Sequence, residues 1–98
     1  EDIRCAESQN HHVLLYLGDG KRSFPIALAE VERLLPPSRF CRCHHSFIVN
    51  MEHIAEFVRT EITLAGGERI PVSRKYYADA QRAFIRYLNS SSSARSAR

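Results

Sequence analysis

The chain has 98 residues, of which 44% are hydrophobic and 26% charged, and its formal net charge is +3. These values are typical of one soluble globular domain with a modest core, and the length excludes two independent cores. No apolar run approaches the roughly 18 residues that a membrane span requires.

The excess of basic residues does not by itself establish nucleic-acid binding. Two of the fourteen Lys and Arg residues lie in the C-terminal tail, so residues 1–88 carry twelve basic and eleven acidic groups. A net charge of +1 attracts DNA only weakly. Clustering of the basic residues is therefore better evidence for DNA binding than the net charge.

Short apolar runs separated by turn residues predict β-strands in the first part of the chain. The predicted strands are Ile3–Ala6, Val13–Leu17 and Arg22 to about Pro25, joined by a polar hinge at 7–12 and a glycine turn at 18–20. The second strand is nearly all apolar, so it should be central and covered on both faces, or long enough to cross from one sheet to another. An amphipathic helix is then predicted at Ala27–Leu35, with Leu28, Val31, Leu34 and Leu35 on its apolar face.

The stretch from Phe40 to Met51 combines thiols, imidazoles, an arginine, a hydroxyl and an amide with apolar residues. Strand periodicity points Phe40, Arg42 and His44 to one face and Cys41, Cys43 and His45 to the other. The run 47–49 breaks this alternation, which predicts a strand that leaves the sheet through a tight or single-turn helical bend. Such a bend places His45 and Ser46 at a surface corner, and Asn50 is predicted to cap it.

Three further strands and a helix are predicted in the second half: Ile54–Val58, Glu61–Ala65, Arg69–Val72, and a helix from an N-cap at Ser73 to Leu88. Gly66 and Gly67 predict a type I′ hairpin turn, with positive φ at both positions. Pro71 lacks an N–H, so this strand must lie at an edge or use Pro71 where no donor is required. Residues 89–98 are rich in serine and are predicted to be a disordered tail.

Together these elements predict a mostly β domain with two short helices and antiparallel sheets, spanning residues 1–88. The chain begins with Glu1 and shows no leader, which we interpret as a fragment whose missing part lies on the N-terminal side.

Two motifs in the chain are similar to those of a known family. The first is Phe40, Arg42, His44 and Ser46 with Ile48, Val49 and Asn50, and the second is the run 70–74, Ile-Pro-Val-Ser-Arg. In this order and spacing they resemble the signature of the LytTR DNA-binding domain, from about Ile3 to about Leu88. That family consists of bacterial transcription regulators, most often the effector part of two-component response regulators.

The resemblance implies an elongated sandwich of small antiparallel sheets that reads double-stranded DNA through loops in the major groove. Its base-reading positions fall at His11, at His45 and at Arg74, although a shift of one residue would place His12 in the first position. At His45 the family commonly has Arg, Lys or Asn. The resemblance further implies a second copy of the domain on a repeated site.

The residue types support a DNA interface independently of the family. Arg74, at the start of a helix, can offer its guanidinium fork to guanine O6 and N7. Lys75, Arg69 and Arg42 are candidate phosphate contacts, and Ser46 can donate its hydroxyl.

Three other functions remain open from the residues alone. Cys41, Cys43 and His45, or His44 in place of one of them, are possible zinc ligands, but the spacing supplies no second pair apart from the distant His11 and His12. A cysteine nucleophile at Cys43 would face away from His44, so we predict no enzyme. A small β module for protein or RNA is the remaining alternative.

The predicted partners are duplex DNA, a second copy of the chain and an N-terminal sensor or receiver domain, with no cofactor, metal or small-molecule substrate. Three cysteines, an odd number, predict a reducing compartment. We therefore expect a cytoplasmic location, with tethering to a membrane sensor as one arrangement of the whole protein.

Overall fold

The computed structural model describes residues 2–96 of the chain, apart from the side chains of 91–96. It contains eight strands, two α-helices and a single 3₁₀ turn at Met51–His53. In chain order the elements are β1 (Ile3–Gln9), β2 (His12–Leu17), β3 (Gly20–Phe24), α1 (Leu28–Leu34), β4 (Phe40–His44), β5 (Phe47–Asn50), β6 (Ile54–Phe57), β7 (Glu61–Leu64), β8 (Arg69–Pro71) and α2 (Arg74–Ser96).

The strands form two antiparallel sheets. The larger has the order β3-β2-β1-β5-β4, and the smaller has the order β6-β7-β8. The molecule measures 44 × 30 × 25 Å along its principal axes. The predicted class, a mostly β domain of antiparallel sheets with two helices, is confirmed.

Two apolar cores cover the two faces of the larger sheet. Because strand side chains alternate, Cys5 and Val49 enter one core while their neighbours Ala6 and Ile48 enter the other. The first, which we call the central core, lies between the larger sheet, the smaller sheet and α2, whose Ala80 is buried in it. The second, the outer core, lies under α1. The larger sheet is therefore the middle layer of the domain.

The apolar run 47–49 is a strand, not the helical bend that its sequence pattern predicts. It forms β5 and pairs with β1 on one side and β4 on the other. Its residues are apolar without alternation because both faces of the sheet are covered here. The 3₁₀ turn follows it, and the buried Asn50 caps this turn by accepting a hydrogen bond from the Glu52 N–H at 3.0 Å.

The predicted helix at Ala27–Leu35 is shortened to Leu28–Leu34. Leu28 and Val31 are buried in the outer core, as the pattern predicts. Leu34 is 73% exposed, however, because a helix of seven residues ends before its last turn can return to the sheet.

Several boundaries in the second half differ from the prediction. At the β7–β8 hairpin only Gly67 has a positive φ, of 100°, so the turn is not type I′. Pro71 does lie in the edge strand β8.

Helix α2 continues past the end predicted at Leu88, because the serine and alanine residues that follow include no glycine or proline to end it. The domain boundary at 88 stays a prediction, and residues 97–98 of the predicted tail lie outside the described residues.

An ion pair joins the two sheets at the end where β1 begins. Arg4 Nε donates to Glu68 Oε2 at 2.9 Å, and another guanidinium nitrogen donates to the Leu17 carbonyl. Desolvation by burial acts to raise the pKa of Glu68, but a backbone hydrogen bond within the residue and the Arg4 guanidinium outweigh it, so that this pKa lies below its usual value.

We expect Glu68→Gln to lower the free energy of unfolding by about 1–2 kcal/mol at neutral pH, because a charge-assisted bond is replaced by a neutral one. A lowered pKa in the folded state stabilises the fold above the usual value of 4.5, and this stabilisation is lost as pH falls through the lowered value. Urea unfolding across this pH range measures the effect. Glu56→Gln, at an exposed site, is the control. If the difference in free energy of unfolding between wild type and Glu68→Gln stayed constant below pH 4.5, the stabilisation would not depend on the ionisation of Glu68.

Candidate nucleic-acid interface

The polar segment predicted as a hinge is a tight hairpin between β1 and β2. Gln9 pairs with His12, which leaves Asn10 and His11 as a two-residue loop. Their φ angles are 45° and 66°, so both are left-handed, as a type I′ turn requires. Asparagine tolerates this conformation, but the second position favours glycine. His11 is therefore held at the exposed tip of the turn in a conformation that costs about 1–2 kcal/mol.

His12 is exposed as well, but it is the first residue of β2 and not part of the loop. Its Nδ1 donates to the Asn10 carbonyl at 3.1 Å, across the turn. Of the two histidines that the sequence leaves as alternatives, His11 is the one at the tip.

A second turn lies beside the first at the same end of the larger sheet. His45 and Ser46 join β4 to β5, and β5 pairs with the end of β1 that leads to His11. The Ser8 N–H donates to the Ser46 carbonyl at 2.8 Å, and the Ser46 N–H donates to His44 Nδ1 at 3.0 Å. His45 is exposed at this corner, where the sequence places it, but it belongs to the turn and not to a strand face.

The start of α2 is attached to the same end of the sheet. The register of β4 against β5 shifts between Arg42 and His44, so the Cys43 carbonyl is free of the ladder and accepts the Ser73 N–H at 3.0 Å. Arg74 and Lys75 follow as the first residues of the helix, and both are exposed. Ser73 does not act as the predicted N-cap, because its Oγ is buried without a hydrogen-bond partner among the described residues.

Arg42 lies under the β4–β5 turn, with its side chain 14% exposed. All three guanidinium nitrogens have partners: Nε donates to the His44 carbonyl at 2.9 Å, Nη1 to Glu32 at 2.6 Å, and Nη2 to the His45 carbonyl at 2.7 Å. Its guanidinium also lies over the Tyr76 ring, 5.5 Å from the centroid. A phosphate contact there, which remains a prediction, would compete with these bonds.

Arg69 is not brought to this end of the molecule. It begins β8 next to the β7–β8 hairpin, whereas Arg74 follows the opposite end of that strand. Three residues of strand separate the two ends by roughly 10 Å. Arg69 is exposed, and its predicted phosphate contact is separate from the other predicted positions.

Arg59 lies beside Arg74, although neither of the two sequence motifs includes it. Arg59 is exposed in the β6–β7 turn, and the Val72 N–H donates to the neighbouring Thr60 carbonyl at 2.9 Å. A meander of three antiparallel strands always brings its first turn to the end where the third strand leaves. That rule, applied to a basic residue between two predicted strands, could have identified Arg59.

The cysteines lie in the central core and not at the interface. Burial raises the pKa of Cys5 and of Cys41 to about 12, and it raises that of Cys43 as well, so all three are thiols at neutral pH. Within residues 2–96 no three histidine, cysteine or carboxylate side chains are grouped to hold a metal ion. The zinc and nucleophile alternatives thus gain no support from the geometry.

None of the helices among the described residues is long and apolar enough to cross a membrane.

The exposed end of the domain that these turns form carries basic and hydrogen-bonding side chains, which are the residue types that contact DNA. Comparison with known proteins agrees: the family model of the LytTr DNA-binding domain matches residues 1–85. The chain belongs to the LytTR family.

Two curated relatives are named as a transcriptional regulator and as a sensory transduction protein. The CO-responsive transcriptional regulator RcoM of Rhodospirillum rubrum is 32% identical, over 69% of this chain and 31% of the relative. The sensory transduction protein LytT of Bacillus subtilis is 37% identical, over 78% of this chain and 34% of the relative. The chain thus spans about a third of the length of these curated relatives.

A solved structure also matches the fold. The LytTr DNA-binding domain of a response regulator from Bacillus cereus superposes with a TM-score of 0.75 and is 31% identical, over 86% of this chain and 81% of the matched one. The fold implied by the two sequence motifs is therefore the observed one.

We expect His11→Gly to raise the free energy of unfolding by about 0.5–1 kcal/mol, because glycine adopts the left-handed conformation without a Cβ penalty. Urea denaturation measures this change. His12→Gly is the matched control: this position is in a strand, where glycine is destabilising by a similar amount. Destabilisation by both substitutions would contradict strain at His11.

We expect Arg42→Lys to lower the free energy of unfolding by about 1–3 kcal/mol, since an ammonium cannot reproduce bonds to Glu32 and to two carbonyls at once. Urea denaturation measures the loss, and the exposed Arg39→Lys is the control. Lysine keeps the positive charge. If the only role of Arg42 were a phosphate contact, Arg42→Lys would leave the free energy of unfolding almost unchanged.

Proposed function

We propose that this domain binds double-stranded DNA sequence-specifically, as the effector domain of a bacterial transcription regulator. In this proposal the three segments 10–12, 44–46 and 73–75 enter the major groove, where His11, His45 and Arg74 read base edges and Ser46 and Lys75 contact phosphates. The observation that carries the proposal is the meeting of these three segments at one end of the larger sheet. Two backbone hydrogen bonds, Ser8 to Ser46 and Ser73 to Cys43, support this arrangement.

Arg74 has the chemistry of a base reader. It is exposed at the start of α2 and has no ion-pair partner among residues 2–96, whereas Arg4, Arg39 and Arg42 are each paired with a glutamate. An unpaired guanidinium can donate two parallel hydrogen bonds to guanine O6 and N7. The histidines at the two neighbouring turns each offer a ring nitrogen that can donate to or accept from a base edge.

The wider assembly is part of the same proposal. Two copies bind a repeated site, and a sensor or receiver domain controls the DNA-binding domain in the cytoplasm. The support is the length of the curated relatives, two-thirds of which lies outside the matched region. We propose no cofactor and no small-molecule substrate.

We expect Arg74→Ala to weaken binding to the preferred duplex by about 1–3 kcal/mol and to relax specificity at one base pair, because a bidentate base contact is lost. The measurement is fluorescence anisotropy with a duplex pool of randomised centre, followed by sequencing of the bound fraction. Arg86→Ala, which removes an exposed arginine about three helical turns further along α2, is the matched control.

Lys75→Ala separates phosphate contact from base reading in the same assay. It should weaken binding to all duplexes alike and reduce the slope of log K against log salt by about one. If both variants lost affinity equally for every duplex sequence, Arg74 would not be a base contact. A folded wild-type protein that binds no duplex at low salt would favour the alternative, a protein- or RNA-binding module.

A further inference from the structure

A cavity of about 290 Å³ lies between the β6–β7 turn and the start of α2. Its lining consists of Arg59, Thr60, Val72, Arg74 and Tyr77. Two of these residues carry guanidinium groups, two carry hydroxyls, and none is acidic. The cavity therefore combines two positive charges with further hydrogen-bond donors and offers no carboxylate to neutralise them.

The charges of the two arginines are uncompensated within the part of the chain that the structure describes. Neither Arg59 nor Arg74 has a carboxylate within ion-pair distance among residues 2–96, while Arg4, Arg39 and Arg42 do. Two like charges beside one cavity repel each other, whereas an anion bound between them attracts both guanidinium groups. The electrostatics thus favour an anionic ligand.

Arg59 makes a cation–π contact with Tyr77. Its guanidinium carbon lies 5.3 Å from the centroid of the Tyr77 ring. That ring is itself fixed, because it packs edge-on against Phe57 and its hydroxyl accepts a hydrogen bond from Gln81 Nε2 at 2.9 Å. This contact limits the positions that the Arg59 guanidinium can take, and the group can still donate hydrogen bonds to an oxyanion.

We propose that this cavity is a phosphate-binding site and that its ligand is a backbone phosphate of the bound duplex, held by Arg59. The chemistry of the site is that of a tetrahedral oxyanion facing planar donors. Its location makes DNA the source, because the cavity adjoins Arg74 and so lies next to the base-reading segments. This inference rests on the proposed function and extends it to the smaller sheet.

The phosphate contact gives Arg59 a role distinct from that of Arg74. By holding the backbone, it fixes the distance between the helix start and the groove, so that the Arg74 guanidinium can reach a base edge. Arg59 is therefore a positioning residue: its loss should reduce affinity for all sequences and narrow the difference in affinity between the preferred and the scrambled duplex, without reversing the preference.

The first test measures salt dependence on the duplex that wild type selects and on a scrambled duplex. Arg59→Ala should reduce the slope of log K against log salt by about 0.9, which makes the ratio of wild-type to mutant affinity fall by about threefold between 50 and 200 mM salt. Arg59→Lys should restore most of the slope, because it keeps the charge. Arg86→Ala should leave the slope unchanged.

The second test uses inorganic phosphate in place of DNA. NMR signals of the arginine Nε–H groups are followed as phosphate is added to the wild-type domain, with chloride at equal ionic strength as the reference. The signals of Arg59 and Arg74 should shift with phosphate alone, and the Arg74 shift should be lost in Arg59→Ala. Circular dichroism verifies that the variant is folded.

The two tests separate the possible failures. Phosphate-specific shifts with a reduced slope support the whole inference, whereas shifts with an unchanged slope overturn DNA as the source of the phosphate. Absence of shifts together with an unchanged slope overturns the site itself. If wild type binds no duplex, the proposed function fails, and the phosphate titration alone decides whether the site binds free phosphate.

Discussion

The structure depends on burying strand β5 on both of its faces. Ile48 and Val49 enter opposite cores, and the strand is hydrogen-bonded on both edges, to β1 and to β4. A one-residue shift in its register would exchange the two faces, so the register is strongly determined. The same strand positions Asn50, whose amide donates to the Ile3 carbonyl at 2.8 Å and closes the start of the sheet.

The candidate interface follows from that register and from antiparallel topology. Because β1 and β5 run in opposite directions, the turn after β1 and the turn before β5 lie side by side. The bulge in β4 then leaves the Cys43 carbonyl available to attach the start of α2. His11 at this end has an unfavourable left-handed backbone conformation, which persists because the sheet beneath the turn is rigid.

Much of the architecture could be predicted, and the errors share a cause. Short apolar runs and turn residues located most strands, and Pro71 correctly indicated an edge. The segment 7–12 reads as a hinge and not as a hairpin because a type I′ turn with histidine at its second position lacks the expected glycine. The run 47–49 predicts a bend in place of the observed strand, because a continuous apolar run indicates burial on two faces but does not indicate the direction of the backbone.

The sequence by itself determined the fold class and the family, since periodicity, turn residues and two spaced motifs are local properties of the chain. It also indicated the three segments that carry His11, His45 and Arg74. Only the tertiary structure decided that His11 and not His12 occupies the turn tip, that Arg42 is engaged with carbonyls, and that Arg59 adjoins Arg74 while Arg69 does not. These are relations between distant residues, and they depend on strand register and packing, which no local pattern encodes.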